Sequence, residues 1–368
     1  MVIANARVAE SANEWAARTI EIPGGSQTLD LRGHLLLPGL INAHDHLEFN
    51  LFPRLGRRIY ANAGEWAADI HCTDESPVRE HLRVPKETRL FWGGMKNLLS
   101  GVTLVAHHNP YDQSIFEGPF PVRVLRRFGW AHSLGFSPDI ATRYRDTPPD
   151  EPFIVHAGEG TDERARKEIY RLDRHALLGC RTVLVHGLGF DDAGLKLLAE
   201  RRGSLVWCPS SNLLNYGRTL RRDRLPPETA VALGTDSAIS AAGDMIDELQ
   251  VAHSQCGARA EELYGMVTKN ASRILRIRPA ADLLAVEDRG QTPAESLLNL
   301  RPELVIIAGR IHLISEQLAM RLKTADFHWI HLEGRGSWLT PFDAPAFLRS
   351  AQKVLGPNIR LAGRRVTA

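Results

Sequence analysis

Short apolar runs that end in a polar residue or a tight turn recur along the middle of this 368-residue chain. These strand-like runs are Leu35 to His46, Val102 to His108, Phe153 to His156, Thr182 to His186, Ser204 to Pro209 and Ala230 to Asp236. Stretches with helical periodicity, such as Lys86 to Leu99 and Asp162 to Leu178, lie between most of them. Strands that alternate with helices predict βα units around a parallel sheet. We therefore expect an α/β fold of the (β/α)8 type, a TIM barrel.

The two ends of the chain lack this alternation and carry short β-like pieces. No linker composition divides the middle units, so we assign residues 39–277 to one barrel. Residues 1–38, with the turn-forming Pro23-Gly24-Gly25, and residues 278–368 each hold too few apolar residues for a separate core. We expect these two ends to meet in one small β domain, closed by a terminal helix near Ala344 to Leu355.

One part of the predicted barrel shows too few strands. Between His108 and Phe153 the sequence indicates one strand, around Val122 to Leu134, where an eight-stranded barrel needs two. Either one strand is short and polar, or the barrel is distorted at strands three and four.

Composition excludes several classes of partner. Lys and Arg total 45 against 43 Asp and Glu, and this near balance predicts neither nucleic acid nor a membrane as a partner. No apolar run approaches the ~20 residues of a membrane helix. The scattered Cys72, Cys180, Cys208 and Cys256 form no CxxC pair, which is typical of a reducing compartment. With no secretory signal at the N-terminus, we expect a cytoplasmic protein with a small-molecule substrate; a homodimer is an open alternative.

Histidines and an acid stand at successive predicted strand ends. His44 and His46 are two residues apart, so on a strand both imidazoles face the same side and reach one ion. This pair alone is equally well explained as two polar residues at a strand end. His156, His186 and Asp236 also end apolar runs, and barrel enzymes assemble their active sites at such ends. This mixed set of imidazoles and a carboxylate predicts a metal site that suits zinc, with iron(II) or another first-row ion as the alternative.

Glu159 follows the third histidine in the segment His-Ala-Gly-Glu-Gly. A carboxylate on that loop can take a proton from metal-bound water and return it to a leaving group. The other interpretation is an acid at a helix start, because Thr161-Asp162 begins a predicted helix. We favour the catalytic interpretation.

Five ordered motifs resemble the deaminase-like branch of the amidohydrolase superfamily over residues 40–275. They are Leu37-Pro-Gly-Leu-Ile-Asn-Ala-His-Asp-His46, His156-Ala-Gly-Glu159, Val185-His186-Gly, Cys208-Pro-Ser-Ser-Asn212 and Gly234-Thr-Asp-Ser237. That branch includes adenosine, cytosine, guanine and S-adenosylhomocysteine deaminases, together with triazine hydrolases. The motif His-Ala-Gly-Glu also resembles adenosine deaminase, but Ser237 stands where those enzymes generally have a second Asp.

The resemblance implies a role for each matching residue. The metal ligands would be His44, His46, His156 and Asp236. Glu159 would shuttle protons, His186 would orient the attacking water or touch the metal, and Asp236 would also accept the water proton. Binuclear relatives bridge two metals with a carboxylated lysine. Between His46 and His156 only Lys86 and Lys96 are present, in a predicted loop and a predicted helix, so a single-metal site follows.

Four further residues are candidates for substrate binding. Phe49 and Trp66 follow the first histidines and could stack on a flat ring, although ordinary packing of a lid is equally plausible. His108 ends the second predicted strand, where it could line a pocket. Asn212 could hydrogen-bond a substrate or form part of a turn.

The sequence therefore predicts an enzyme that hydrolyses C–N bonds other than peptide bonds with metal-activated water. Deamination of a nitrogen heterocycle is the leading hypothesis. The alternative on the same site is amide hydrolysis or C–Cl hydrolysis of the triazine type. A non-catalytic scaffold homologue is a third possibility, but such a protein is expected to lack ligands that this chain retains.

Overall fold

The structure is a computed structural model that describes residues 1–22, 28–56, 58–70, 76–241, 243–278, 281–322 and 326–368. The predicted turn Pro23-Gly24-Gly25 and Cys72 lie outside the described residues. The strands are β1 (Val2–Ala9), β2 (Trp15–Glu21), β3 (Thr28–Asp30), β4 (His34–Pro38), β5 (Leu40–Asp45), β6 (Val102–His107), β7 (Arg123–Val124), β8 (Gly129–Ser133), β9 (Phe153–Ala157), β10 (Thr182–His186), β11 (Ser204–Trp207), β12 (Val231–Leu233), β13 (Leu283–Glu287), β14 (Leu304–Ile307), β15 (Arg310–Ser315), β16 (His328–Leu332), β17 (Gly336–Thr340), β18 (Arg360–Leu361) and β19 (Arg364–Thr367).

The helices lie mostly between the strands of the middle region. They are α1 (Ala63–Ile70), α2 (Val78–Leu82), α3 (Lys86–Leu99), α4 (Gln113–Phe116), α5 (Ile140–Asp146), α6 (Glu163–Arg174), α7 (Asp192–Glu200), α8 (Pro209–Tyr216), α9 (Met245–Ser254), α10 (Ala260–Val267), α11 (Lys269–Ile274), α12 (Glu316–Ala319) and α13 (Ala344–Leu355). Short 3-10 helices span Leu47–Phe49, Arg222–Arg224 and Glu295–Asn299. No helix within the described ranges is both long and apolar enough to cross a membrane.

Two parallel sheets form the middle of the molecule. Strands β8 to β12 pair in sequence order in one sheet, and β5, β6 and β7 pair in the other. Every residue of β5, β6, β9 and β10 is buried, because helices cover these apolar strands. The end of β12 approaches the end of β5, where the amide of Asp236 donates to the carbonyl of His44 at 3.1 Å. The α/β class with a parallel arrangement is as the sequence predicted.

Local sequence explains where the helices of this region begin. Asp162 caps α6 by accepting a hydrogen bond from the amide of Ala165, and Asp191 caps α7 by accepting one from the amide of Gly194. Helix α6 then buries Ile169 and Leu172 toward the sheet. These caps fix the start of each helix just beyond a strand end and keep the intervening loops short.

The single strand predicted around Val122 to Leu134 is wrong, because the structure has two strands there. Strand β7 pairs with β6 and strand β8 pairs with β9, and among the described residues no ladder joins β7 to β8. Between the two strands, Arg126 and Arg127 are exposed and form ion pairs with acidic side chains. Two consecutive solvated arginines interrupt the apolar pattern, and the very short β7 matches the expectation of a short, polar strand.

Strands from both chain ends pair in one 11-stranded sheet. The link is β4, which pairs in parallel with β1 and antiparallel with β13. Ile3, Leu29 and Leu36 from the first end share a buried cluster with Leu304 and Ile314 from the second. The expected meeting of the two ends in a shared sheet is therefore observed.

The predicted helix near Ala344 to Leu355 is α13, but it does not close the chain. Strands β18 and β19 follow it, and β19 pairs with β16 through His331 and Thr367. The helix packs instead against α3, where Phe347 stacks on Phe91 with ring centroids 3.8 Å apart. The short, partly charged pattern of the last strands explains why the sequence did not reveal them.

Candidate metal and catalytic site

The residues predicted as metal ligands converge at the carboxyl ends of the parallel strands. Nε2 of His44 lies 3.2 Å from Nε2 of His156. Oδ1 of Asp236 lies 4.0 Å from Nε2 of His44 and 4.0 Å from Nε2 of His46. A tetrahedral zinc ion with Zn–N distances of about 2.0–2.1 Å separates its nitrogen ligands by roughly 3.3 Å. The spacing of these side chains therefore fits one metal ion.

Hydrogen bonds at Nδ1 orient two of the proposed ligand rings, His44 and His156. Nδ1 of His156 donates to the carbonyl of His132 at 2.8 Å. Nε2 of His108 donates to the carbonyl of Ala131 at 2.9 Å, so Nδ1 of His108 accepts from Nδ1 of His44 at 3.3 Å. This assignment of tautomers leaves the Nε2 lone pairs of His44 and His156 facing each other.

Burial keeps these rings neutral. The pKa values of His44, His108 and His156 lie well below the usual histidine value, because burial disfavours the charged form and the neighbouring imidazoles add to the effect. With no proton between them, the lone pairs of His44 and His156 repel each other unless a cation lies nearby. Nε2 of His186 is also buried without a hydrogen-bond partner. The residues present therefore fit a divalent metal ion.

Asp236 is held as a carboxylate. Burial opposes its ionisation, but the imidazoles of His46 and His186 and hydrogen bonds outweigh burial and lower its pKa. The hydroxyl of Ser211 donates to Oδ2 at 2.8 Å, and the amide of Ser237 donates to Oδ1 at 2.7 Å. The backbone of Asp236 has a φ of +54°, a left-handed conformation that is unfavourable for a residue with a Cβ.

Glu159 lies beside the proposed metal ligands, and its pKa is raised. Its Oε1 accepts a hydrogen bond from the hydroxyl of Tyr216 at 2.8 Å and lies 3.6 Å from Nε2 of His186. Burial is the main cause that raises the pKa of Glu159, and the charge of Asp236 adds to it. The helix-start interpretation is disfavoured because Asp162 provides the cap of α6.

A cavity of about 440 Å³ opens onto these side chains. Its walls are largely apolar and include Phe49, Phe52, Trp66, Phe136 and Ile239. Its polar lining consists of His46, Asn109, His132, His156, Glu159, His186, Asp236, Ser237 and Ser240. An apolar pocket with a few convergent polar groups is typical of a small-molecule site.

Comparison with a family model decides the class of this site. Residues 149–310 match the model of the amidohydrolase family. This segment of the chain is therefore similar to the amidohydrolase domain. The protein is a hydrolase that acts on C–N bonds, and the family resemblance inferred from its motifs is confirmed.

Curated relatives of this chain are named as deaminases. The 5-methylthioadenosine/S-adenosylhomocysteine deaminase 2 of Archaeoglobus fulgidus is 26% identical over 305 residues, covering 68% of this chain and 69% of that protein. The 5-methylthioadenosine/S-adenosylhomocysteine deaminase of Haloarcula marismortui is 26% identical over 370 residues, covering 81% of this chain and 84% of that protein.

Solved structures share the fold at lower identity. A triazine hydrolase variant superposes with a TM-score of 0.70 at 16% identity, covering 96% of this chain and 98% of that one. An adenosine deaminase from Xanthomonas campestris with bound zinc superposes with a TM-score of 0.61 at 19% identity, covering 89% of this chain and 86% of that one. At these identities, the similarity shows a shared fold alone.

The four predicted substrate-binding residues fall into two groups. Phe49 and Trp66 line the cavity. His108 and Asn212 are fully buried, and each contacts a histidine of the site. His108 contacts His44, and Oδ1 of Asn212 accepts a hydrogen bond from Nδ1 of His186 at 2.8 Å. These contacts support an orienting role for both, and a direct substrate contact by either stays a prediction.

Three residues of the site were missed from the sequence. His132 lines the cavity from β8, but its strand was merged with β7. Tyr216, the last residue of α8, gave no signal because one aromatic at a helix end is common. The sequence suggests Lys96 only as a position for a lysine that bridges two metals, whereas its ammonium group forms an ion pair with Asp45. Lys86 is the first residue of α3, as the helical periodicity of Lys86 to Leu99 predicts, and it does not lie in a loop.

Proposed function

We propose that this amidohydrolase is a metal-dependent deaminase of a nitrogen heterocycle. One divalent ion, with zinc favoured over iron(II), would be held by His44, His46, His156 and Asp236. The observation that carries the proposal is the 3.2 Å approach of two bare Nε2 atoms, His44 and His156, whose Nδ1 protons are engaged elsewhere. When bound, the metal supplies Lewis-acid activation, which lowers the pKa of water toward neutrality.

The chain's own residues would move the protons. Asp236, ionised and held at both oxygens, is placed to accept a proton from the attacking water. Glu159 has a raised pKa because it is buried, so its carboxyl group holds a proton more readily than an exposed glutamate and could donate it to the leaving nitrogen. His186 donates from Nδ1 to Asn212, which leaves its Nε2 as an acceptor that orients the water.

The cavity and the relatives support a flat heterocyclic substrate. Phe49 and Trp66 offer ring faces for stacking on the wall of the cavity. The relatives in Archaeoglobus fulgidus and Haloarcula marismortui are named for deamination of adenosine derivatives, so amino-substituted purines are the first compounds to test.

We also propose that the two parallel sheets form one (β/α)8 barrel over residues 39–277. In this division, residues 1–38 and 278–368 constitute the small β domain.

Metal analysis and a substrate screen test the proposal. Purified protein should contain about one zinc or iron ion per chain and release ammonia from a purine, pyrimidine, pterin or triazine. Two tightly held ions bridged by a carboxylate would exclude the single-metal site. Release of chloride or of a carboxylic acid without ammonia would favour the alternative C–Cl or amide hydrolysis.

Two variants separate catalysis from metal binding. Glu159→Gln should keep the metal and lose most of kcat, whereas His46→Ala should lose metal affinity as well. Glu163→Gln, an exposed carboxylate on α6, is the matched control and should resemble the wild type. Near-normal turnover by Glu159→Gln would contradict its assigned role as proton shuttle.

A further inference from the structure

Lys96 is a fully buried cation whose three protons all have acceptors. Its side chain on α3 is 1% exposed. Nζ lies 2.9 Å from Oδ2 of Asp45, donates to Oγ1 of Thr235 at 3.1 Å and donates to the carbonyl oxygen of Asp236 at 3.1 Å. An ammonium group has three protons and no acceptor, so these contacts saturate it. Lys96 is therefore locked between the ends of β5 and β12.

Both strand ends that Lys96 joins carry proposed metal ligands. Asp45 lies between His44 and His46, and its carboxylate also accepts from Asn97 at 2.8 Å and from Asn50 at 3.1 Å. On the other side, the hydroxyl of Thr235 donates to the carbonyl of Asp236 at 2.9 Å. One cation thus contacts Asp45, the residue between the two histidines, and the backbone carbonyl of Asp236, and it does not line the cavity.

The backbone of Asp236 needs such restraint. Its left-handed φ of +54° persists only where the surroundings over-determine it. Lys96 and Thr235 both fix its carbonyl oxygen, and its amide donates to His44. These contacts determine where the carboxylate of Asp236 stands relative to the two histidines.

We propose that Lys96 is a positioning residue that clamps β5 to β12 and sets the placement of Asp236 for metal binding. The inference rests on the proposed metal site and adds to it the device that assembles its two halves. Lys96 contacts neither the cavity nor the reacting atoms. It acts through Asp45 and the Asp236 backbone.

The sign of its effect distinguishes positioning from simple electrostatics. If Lys96 acted only through its charge, its removal would strengthen cation binding, because a nearby positive charge would be lost. If Lys96 positions Asp236, its removal should weaken binding. The double variant Lys96→Met/Asp45→Asn removes one positive and one negative charge, so the net local charge is unchanged and any change in metal affinity reflects the position of Asp236. Replacement of a buried ion pair is often close to neutral for stability.

The test compares this double variant with the wild type and with Lys86→Met. Lys86 also lies on α3 but is half exposed and pairs with Asp112 at the surface, so it is a matched control. Zinc affinity is measured by chelator competition, and ligand geometry by the visible spectrum of the cobalt(II)-substituted full chain. We expect the double variant to bind zinc roughly ten- to hundredfold more weakly, with an altered cobalt spectrum. Lys86→Met should match the wild type.

A folded double variant with wild-type zinc affinity and an unchanged cobalt spectrum would overturn the proposal. If the double variant does not fold, Thr235→Val decides, since it removes one contact to the Asp236 carbonyl and keeps the ion pair. Thr235→Val should change zinc affinity and the cobalt spectrum in the same direction, and wild-type values would overturn the proposal. Failure of the wild type to bind zinc or cobalt would instead refute the metal site itself.

Discussion

The hydroxyl of Tyr216 donates to Oε1 of Glu159 at 2.8 Å, at the edge of the cavity. Tyr216 is the last residue of α8, and the chain leaves the helix through Gly217, whose φ is +66°. Burial and the adjacent carboxylate raise the pKa of Tyr216 well above its usual value, so the phenol stays protonated and remains a donor. Helix α8 thus places a fixed donor on the proposed proton shuttle.

Tyr216→Phe should slow catalysis without removing the metal. The variant loses a hydrogen bond to the carboxyl group of Glu159, worth on the order of 1–2 kcal/mol, so kcat should fall roughly tenfold. Steady-state ammonia release and metal content measure the two effects. Tyr170→Phe, which removes a hydroxyl that contacts Asp191 on another face, is the control. An unchanged kcat in Tyr216→Phe would show that the contact does not support catalysis.

His108→Phe should weaken metal binding. Nδ1 of His108 accepts a hydrogen bond from Nδ1 of His44, and Nε2 of His108 donates one to the carbonyl of Ala131. His108 thereby keeps the proton of His44 on Nδ1, which leaves Nε2 of His44 available as a ligand. Without that acceptor the His44 ring loses its orientation, and zinc affinity should fall by roughly tenfold or more. Chelator competition measures the change, with the exposed His253→Phe as the control. Wild-type affinity would return His108 to the substrate-binding role suggested by the sequence.

The convergence of the proposed ligands was predictable because parallel strands bring their carboxyl ends together. His156, His186 and Asp236 each end an apolar run, and that pattern alone indicated where they would meet. The roles of His108 and Asn212 were not predictable, since the direction of a side chain at a strand end depends on its three-dimensional neighbours. Both point toward histidines that lie far away in the sequence.

The contacts that hold the proposed ligands in place could not be predicted from the sequence for a related reason. The ion pair of Lys96 with Asp45 joins a helix to a strand end, and no periodic pattern marks such a long-range pair. In β8, exposed arginines just before the strand obscured His132. Apolar periodicity reports burial and element type, whereas buried polar networks depend on tertiary contacts.

Glu248→Gln should stabilise the protein at alkaline pH. Glu248 on α9 is buried, which raises its pKa to about 8, while its contacts with Ser210 oppose the shift. Between pH 4.5 and about 8 the folded state keeps a proton that the unfolded state has released, so the free energy of unfolding falls as pH rises. Removing this carboxyl group should add on the order of 2 kcal/mol at pH 9 and little at pH 5.

Denaturant unfolding of the wild type and Glu248→Gln at these two pH values measures the difference. The glutamine can still accept from the amide of Ser210 and donate to its hydroxyl, so packing is preserved. Glu261→Gln, an exposed acid on α10, is the control. An equal gain at both pH values would mean that the stabilisation does not arise from the carboxyl group's titration.

Deletion of residues 1–30 should unfold the shared sheet while leaving every proposed metal ligand in the chain. The deletion removes β1, which pairs with β4, and takes Ile3 and Leu29 out of a cluster that also contains Leu304 and Ile314. Their apolar partners would become exposed, because neither end buries enough surface alone. The truncated protein should be insoluble or partly unfolded, as measured by solubility, dye binding to exposed apolar surface and thermal unfolding.

Point variants give the same test without a truncation. Ile3→Ala should destabilise the chain by about 2–5 kcal/mol, because it opens a cavity at a residue that is 0% exposed. Thr19→Ala, at an exposed position on β2, should change stability little. A soluble and fully active truncation, together with an Ile3→Ala variant as stable as the wild type, would show that the parallel strands fold without the sheet built from the chain ends. That result would not bear on the proposed metal site, since its four ligands lie in β5 and β9 or follow the ends of β5 and β12 by no more than three residues.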